Sequence, residues 1–205
     1  MKEISTVSIR MARKEDALAI LDIYRPYITD TAITFVSRIP TVTDIEKKMA
    51  DIMRQYPYLV CEIDGGVVGF AYANKMRPHD AYRWNAELSI YVSSQHHGHG
   101  IATALYTALF HILKAQGFCN LYAAITIPNE QSIALHRRFG FRELVVHEAD
   151  GYKLGAWRDV LWMLYRIEGA ADPGEHGFPL RLAKVRKNDI DTALGMATAL
   201  LSGAQ

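Results

Sequence analysis

The pattern of apolar and polar residues predicts a chain that opens with a strand and a helix. Residues 7–11 alternate between apolar and polar side chains, as in a half-buried strand. Between Lys14 and Tyr24, apolar residues recur at intervals of three and four, which is the spacing of one helix face. A β-α unit is therefore expected at the start.

A second helix and a hairpin follow in the pattern. Thr43 is a candidate N-cap, and Glu46 three residues later completes a capping box. Residues 58–63 and 67–73 are rich in strand-forming residues and flank Asp64-Gly65-Gly66, a turn sequence typical of hairpins. The second helix should thus lead into an antiparallel pair.

The rest of the first 167 residues alternates between strand and helix. Helices are predicted over 100–115 and 130–138, because each carries an apolar stripe and is followed by a glycine stop. Strands are predicted over 84–92, 121–127, 141–147 and 159–165. The predicted order is β-α-α-β-β-β-α-β-α-β-β, which places the chain in the α/β class.

Composition divides the chain near residue 167. We expect one domain over 7–167, a linker over 168–177, which is rich in proline and glycine, and a tail over 178–205. In the tail, Asn188 can cap an amphipathic helix that ends at Gly203. No complementary surface for that helix is evident from the sequence.

The composition is that of an ordinary globular protein. The 205 residues carry a net charge of +1, which does not indicate electrostatic attraction to nucleic acid or to a membrane surface. Cys61 and Cys119 lie in apolar runs without a CxxC partner, which favours reduced thiols over a disulfide or zinc. Because no signal peptide or membrane span is evident, we expect a cytoplasmic protein.

The segment with the strongest chemical signal runs from Tyr91 to Thr103, where a strand leads into a helix. Free N–H groups and the helix dipole make such a junction an anion site, and glycines let a phosphate approach the backbone. No Gly-Lys-Ser/Thr follows, and position 103 is threonine, so neither a P-loop nor a complete Rossmann motif is present. A diphosphate ligand fits the segment.

Gln95, Gly98 and Gly100 resemble the Gln/Arg-x-x-Gly-x-Gly/Ala pattern of the acetyl-CoA loop in GNAT acetyltransferases. The stretches 77–78, 85–93, 129–141 and 155–160 extend the resemblance, and together they are similar to the phosphinothricin N-acetyltransferase branch. The resemblance implies the GNAT fold, with a mixed, mostly antiparallel sheet. It also implies acetyl-CoA as co-substrate, no metal, and a homodimer, and we expect the apolar face of the tail helix to be a contact in that dimer.

The resemblance assigns a set of cofactor residues. Gly98 to Thr103 would hold the pyrophosphate, the edge of strand 90–92 would pair with pantetheine and polarise the thioester, and Asn129 would hold pantetheine across the sheet. Arg138 either approaches the cofactor or is a solvated helix-face arginine. The full set is Ile90, Tyr91, Val92, Gly98, His99, Gly100, Ile101, Ala102, Thr103, Asn129 and Arg138.

Two residues are catalytic candidates. Glu87 is an acid in an otherwise apolar strand, where burial would raise its pKa toward that of a base; the alternative is an outward-facing strand carboxylate. The resemblance favours the base. It also places His136 where many GNAT enzymes have a tyrosine that protonates the leaving thiolate, although a lone helix histidine can be structural.

Substrate residues are expected in two loops. Phe35 occupies the place of an aromatic lid in the family, and Arg77 and Tyr82 could bind an acidic group of the substrate. Pro78 and His79 would line the same loop. The alternative for Arg77 is a solvated loop arginine.

These residues predict acetyl transfer from acetyl-CoA to the primary amine of a small amino-acid-like molecule such as phosphinothricin, methionine sulfone or methionine sulfoximine. Two alternatives stay open: a protein or peptide N-acetyltransferase, and a non-catalytic acyl-CoA-binding module. His96, His97 and His99 do not suggest a metal site, because successive loop positions point apart and no carboxylate or thiolate joins them.

Overall fold

The computed structural model describes residues 6–169 and 177–203. The strands are β1 (Val7–Met11), β2 (Tyr58–Ile63), β3 (Gly66–Lys75), β4 (Asn85–Val92), β5 (Asn120–Ile127), β6 (Arg142–Lys153) and β7 (Ala156–Arg166). The α-helices are α1 (Ala17–Thr29), α2 (Val42–Met53), α3 (Ile101–Gln116), α4 (Glu130–Arg138) and α5 (Lys187–Ser202). The predicted element order is confirmed.

The seven strands form one sheet in the order β1-β2-β3-β4-β5-β7-β6. Every neighbouring pair is antiparallel except β4 and β5, which run parallel. The parallel ladder joins Asn85 to Asn120, Ala86 to Leu121 and Glu87 to Tyr122, and there it stops. The sheet is therefore split between β4 and β5 beyond Glu87.

Helices cover both faces of the sheet. Helices α1 and α2 pack with Tyr58, Phe70 and Tyr72 in one apolar cluster. Helix α3 packs on the opposite face with Leu88, Val92 and residues of β5 and β7. Side chains alternate between the two faces along a strand. Glu87 therefore lies on the same face as Ser89 and Tyr91, and Tyr91 packs against the cluster of α1 and α2.

Helix α5 packs on the same core as α3, so the chain itself supplies the surface that the sequence did not reveal. Ala193, Ala197 and Leu201 are buried in the cluster that contains α3. The hydroxyl of Thr198 also accepts a hydrogen bond of 2.9 Å from the backbone N–H of Ile9 in β1. The division of the chain into domain, linker and tail stays a prediction, and most of the linker lies outside the described residues.

Among the boundaries that differ from those predicted are the starts of α2 and α5 and the extent of the β6–β7 hairpin. Helix α2 is capped by Thr41 with Asp44, and not by Thr43 with Glu46, because the helix begins at Val42. Helix α5 has Arg186 as its N-cap, two residues before the predicted N-cap Asn188. Strands β6 and β7 extend to a tight turn at Leu154 and Gly155, beyond their predicted ends. The sequence pattern did not reveal this part, because an exposed hairpin does not need alternating apolar and polar residues.

Candidate active site

The gap between β4 and β5 opens into two cavities that meet inside the sheet. One has a volume of about 540 Å³ and the other of about 440 Å³. Both are lined by Ile33, Ile90, Tyr91, Asn129 and Ser132. Beyond Glu87, alternate backbone groups of β4 have no strand partner on the β5 side and are available to a ligand.

The 540 Å³ cavity is built as an anion site at its outer end. Gly98 and Gly100 have positive φ angles of 81° and 76°, which glycine adopts without steric cost. Gly100 is the N-cap of α3, and the first helical turn at residues 101–103 lines the cavity with its free N–H groups. The exposed guanidinium side chain of Arg138 faces them from α4.

The loop before α3 is tied to the end of β4. The Tyr27 hydroxyl donates to the Val92 carbonyl oxygen at 2.6 Å, and His97 Nε2 donates to the same oxygen at 3.0 Å. Burial raises the pKa of Tyr27, so this hydroxyl stays protonated and able to donate. The three groups hold the glycine loop in register with the free edge of β4.

Two of the expected cofactor residues differ in detail from their predicted roles. Asn129 lines both cavities, but its Oδ1 caps α4 by accepting from the Ser132 N–H at 3.2 Å, which leaves the Nδ2 amide for a ligand. His99 is exposed and is not part of either cavity wall; its Nδ1 lies 2.9 Å from the His97 carbonyl oxygen. The other nine residues of the predicted cofactor set line the 540 Å³ cavity.

Glu87 lines the 440 Å³ cavity at the point where the sheet divides. Burial raises the pKa of its carboxyl group above the ordinary value. Within the described residues, no hydrogen bond or ion pair engages this carboxylate. Glu87 is thus placed and tuned to accept a proton from a ligand in the cavity.

His136 lines the same cavity from the opposite face of the sheet, on α4. Its side chain is buried, with 3% exposure, and burial lowers its pKa. The imidazole is therefore neutral near pH 7. Its Nε2 lies 3.0 Å from the hydroxyl of Tyr106 on α3, a residue that the sequence analysis did not single out.

The comparisons with known proteins agree with this architecture. The family of the "Acetyltransferase (GNAT) domain" matches residues 9–162. The chain belongs to the GNAT acetyltransferase family. The predicted fold and the predicted class of acetyl-CoA-dependent N-acetyltransferase are both confirmed.

Several relatives are similar over most of their length. Phosphinothricin N-acetyltransferase of Streptomyces viridochromogenes is 36% identical over 167 residues, 82% of this chain and 91% of that protein. The L-methionine sulfoximine/L-methionine sulfone acetyltransferase of Salmonella typhimurium is 32% identical over 168 residues, covering 82% of this chain and 98% of the relative. A phosphinothricin acetyltransferase of Sinorhizobium meliloti, solved in complex with AcCoA, aligns with a TM-score of 0.79 and 33% identity, over 84% of this chain and 95% of that one.

Phe35 lines the 440 Å³ cavity of the acetyltransferase, its role as a lid stays a prediction, and its position depends on a glycine that is distant in sequence. A Cβ at Gly151 of β6 would lie 2.3 Å from the Phe35 ring, so only glycine allows this contact. Lys153, two residues further along β6, donates to the Thr34 carbonyl oxygen at 2.6 Å. Strand β6 thereby holds the loop that carries Phe35.

Arg77, Pro78, His79 and Tyr82 lie outside the walls of both acetyltransferase cavities. The Arg77 guanidinium lies 5.7 Å from the Tyr82 ring centroid, and the Pro78 carbonyl oxygen accepts from Lys75. Arg77 is therefore near Tyr82 within the loop and not in a cavity wall, and its role stays a prediction.

Lys48 of α2 is the cation that does line the 440 Å³ cavity of the acetyltransferase. Its ammonium donates to the Tyr72 hydroxyl at 2.8 Å and lies 4.7 Å from the centre of that ring. The helical pattern does not distinguish Lys48 from the adjacent Lys47, since only tertiary packing turns one of them toward the sheet.

Two kinds of feature are absent from the described residues. No group of three or more histidine, cysteine, aspartate or glutamate side chains among them is arranged to hold a metal ion. Likewise, no described helix of the acetyltransferase combines the length and apolar character that crossing a membrane requires.

Proposed function

We propose that this protein transfers the acetyl group of acetyl-CoA to the primary amine of a small amino-acid-like molecule, with Glu87 as general base. The observation that carries the proposal is the position of Glu87 in the wall of the 440 Å³ cavity, where β4 and β5 separate, with a pKa raised by burial. An ammonium must lose a proton before its nitrogen can attack a thioester. A carboxylate with a raised pKa is a better proton acceptor for this step than an exposed one.

The residues of the larger cavity fit acetyl-CoA. Its glycine loop, the first turn of α3 and Arg138 suit a pyrophosphate, because all of them present N–H donors or positive charge. The unpaired edge of β4 and the Asn129 amide suit the amide groups of pantetheine. The thioester supplied by acetyl-CoA would then lie beside Ile90 and Tyr91, where the cavities meet, with Glu87 in the wall of the adjoining cavity.

The smaller cavity supports an amine substrate that carries an anionic group. Lys48 places a positive charge in the cavity wall, with Tyr72 holding it. Tyr72 pairs with Ser89, two residues along β4 from Glu87, so Tyr72 and Glu87 lie on the same face of neighbouring strands and line the same cavity. An amino-acid-like substrate in this cavity would place its amine toward Glu87 and an acidic group toward Lys48.

The names of the relatives support the same substrate class, since they act on phosphinothricin or on methionine sulfoximine and sulfone. The test is release of free thiol from acetyl-CoA with phosphinothricin, methionine sulfone, methionine sulfoximine, free amino acids and short peptides. Acetylation of an amino-acid-like compound supports the proposal. Turnover of peptides alone would favour a peptide acetyltransferase, and acetyl-CoA binding without turnover of any amine would favour a binding module.

We also propose that the chain forms a homodimer and is cytoplasmic. The tail helix no longer supports the dimer, because its apolar face is buried on its own domain. Strand β6 does support it. This strand is the edge of the sheet, and Leu144, Val145 and Val146 are exposed along it. A long apolar edge is a surface that proteins usually cover.

A further inference from the structure

Tyr106 is a buried tyrosine at the wall of the substrate cavity. It lies on α3 with no exposed surface, and it lines the 440 Å³ cavity together with His136. Its hydroxyl is 3.0 Å from His136 Nε2, and the two rings pack edge to face with centroids 5.4 Å apart. A buried hydroxyl whose described partner is an imidazole has a defined hydrogen-bond direction.

The backbone of α4 decides that direction. His136 Nδ1 lies 2.7 Å from the Ser132 carbonyl oxygen. A carbonyl oxygen can only accept, so Nδ1 must carry the hydrogen. In the neutral ring, Nε2 then holds the lone pair and accepts the O–H of Tyr106.

The surroundings keep both groups neutral at rest. Burial lowers the pKa of His136 and raises the pKa of Tyr106 far above its ordinary value. Phe141 packs against the imidazole with a centroid distance of 4.9 Å. The pair is therefore shielded from bulk solvent, and both residues line the cavity that Glu87 also lines.

This arrangement does not suit His136 as a direct proton donor, because its Nε2 has no hydrogen and its Nδ1–H is engaged by a backbone oxygen. It does suit a chain of two transfers. A proton can pass from a cavity ligand to the Tyr106 oxygen while the Tyr106 proton moves to Nε2. The resulting imidazolium would be stabilised by the Ser132 carbonyl oxygen.

We propose that Tyr106 is a catalytic residue that relays protons between the reacting groups and His136 Nε2. The inference rests on the proposed function and deepens it. Glu87 takes the first proton, from the ammonium. As the N–C bond forms and the C–S bond breaks, the relay takes the second proton from nitrogen and returns it to the sulfur of the leaving group, so the relay itself ends unchanged and one proton is released in total.

The experiment compares Tyr106→Phe, His136→Phe and the double variant in the thiol-release assay. We expect kcat to fall about 10-fold to 100-fold in each single variant, with KM for acetyl-CoA within twofold of wild type. Two residues of one relay act as a unit, so the double variant should be no slower than the worse single variant. Tyr56→Phe is the matched control, since Tyr56 is a largely buried tyrosine that stacks on Phe118 outside both cavities.

Folding of each variant is checked by thermal melting. If Tyr106→Phe melts early, replacement of Tyr106 by 3-fluorotyrosine keeps its shape and changes only the acidity of the hydroxyl, and kcat should still change. Wild-type kcat in either Tyr106 variant, or strictly multiplicative losses in the double variant, would overturn the relay.

A measurement without substrate tests the same pair. The ¹⁵N chemical shifts of His136 should show the Nδ1–H tautomer, with Nε2 unprotonated, at pH 7. An Nε2–H tautomer would also overturn the relay. A wild-type protein that acetylates no amine would instead refute the proposed function, so the two failures are distinguishable.

Discussion

Glu87 of β4 and Tyr122 of β5 form the last residue pair of the only parallel ladder in the described sheet. One residue further, the two strands have separated and the cavities begin. The proposed base thus lies at the rigid end of a ladder and faces an opening. This position gives a carboxylate both a fixed location and access to a ligand.

Replacement of Glu87 by glutamine should lower kcat by roughly two to four orders of magnitude while acetyl-CoA affinity stays within a few-fold, because the shape is kept and the base is lost. Wild-type kcat/KM should fall as the pH drops through the raised pKa of Glu87, since the carboxylate is the active form. Rate measurements from pH 5 to 9 check both statements. A pH profile that is unchanged in the variant would exclude Glu87 as the base.

The same pKa shift has a consequence for stability. A carboxyl whose pKa is higher in the folded than in the unfolded state binds more protons when folded, so it lowers stability as the pH rises through that window. Glutamine removes this effect. Thermal melting of both proteins at pH 4 and pH 8 tests this. The melting temperature of Glu87→Gln minus that of wild type should be larger at pH 8 than at pH 4. An equal difference at both pH values would contradict the burial of the group.

Lys48→Met should reduce the preference for amine substrates that carry an acidic side chain. Because Lys48 is exposed to solvent, we expect a loss of about fivefold to tenfold in kcat/KM for phosphinothricin, and little change for methionine sulfone. Lys47→Met is the matched control, since Lys47 lines neither cavity. If Arg77→Ala abolishes the preference and Lys48→Met does not, the anion is bound by the loop after β3.

Gly151→Ala should disturb the substrate side alone. The new methyl group would displace Phe35, whose ring lies 2.3 Å from the Cβ position, so KM for the amine should rise about tenfold while the affinity for acetyl-CoA stays unchanged. Gly195→Ala is a control in α5, where a Cβ meets nothing within 4 Å. Equal amine KM values in the two variants would show that Phe35 does not contact the substrate.

Val145→Lys should weaken the proposed homodimer, because it places a charge in the middle of the exposed apolar edge of β6. Light scattering should give a dimer mass for the wild type and a monomer mass for the variant at low micromolar concentration. Met196→Lys, on the exposed side of α5, is the control and should leave the mass unchanged. A wild-type monomer would refute the dimer, and a dimeric variant would place the interface elsewhere.

Local signals in the sequence determined most of the elements and most of the residues that line the larger cavity of the candidate site. The turn at Gly98 and Gly100, the start of α3 and the N-cap at Asn129 are set by residues within a few positions of one another. A backbone conformation that depends on its neighbours in sequence can be predicted from them. For the same reason, Glu87 could be recognised as an acid in a strand that should be buried.

Tertiary structure decided which distant residues meet. The contact of Tyr106 with His136, the packing of Phe35 on Gly151 and the turn of Lys48 toward Tyr72 each join separate elements. Such contacts follow from the order of strands, the place where the sheet splits, and the packing of helices on two faces, and these depend on the core as a whole. The surface for α5 was hidden in the same way, because a helix with one apolar face does not specify whether its partner lies in its own domain or in another chain.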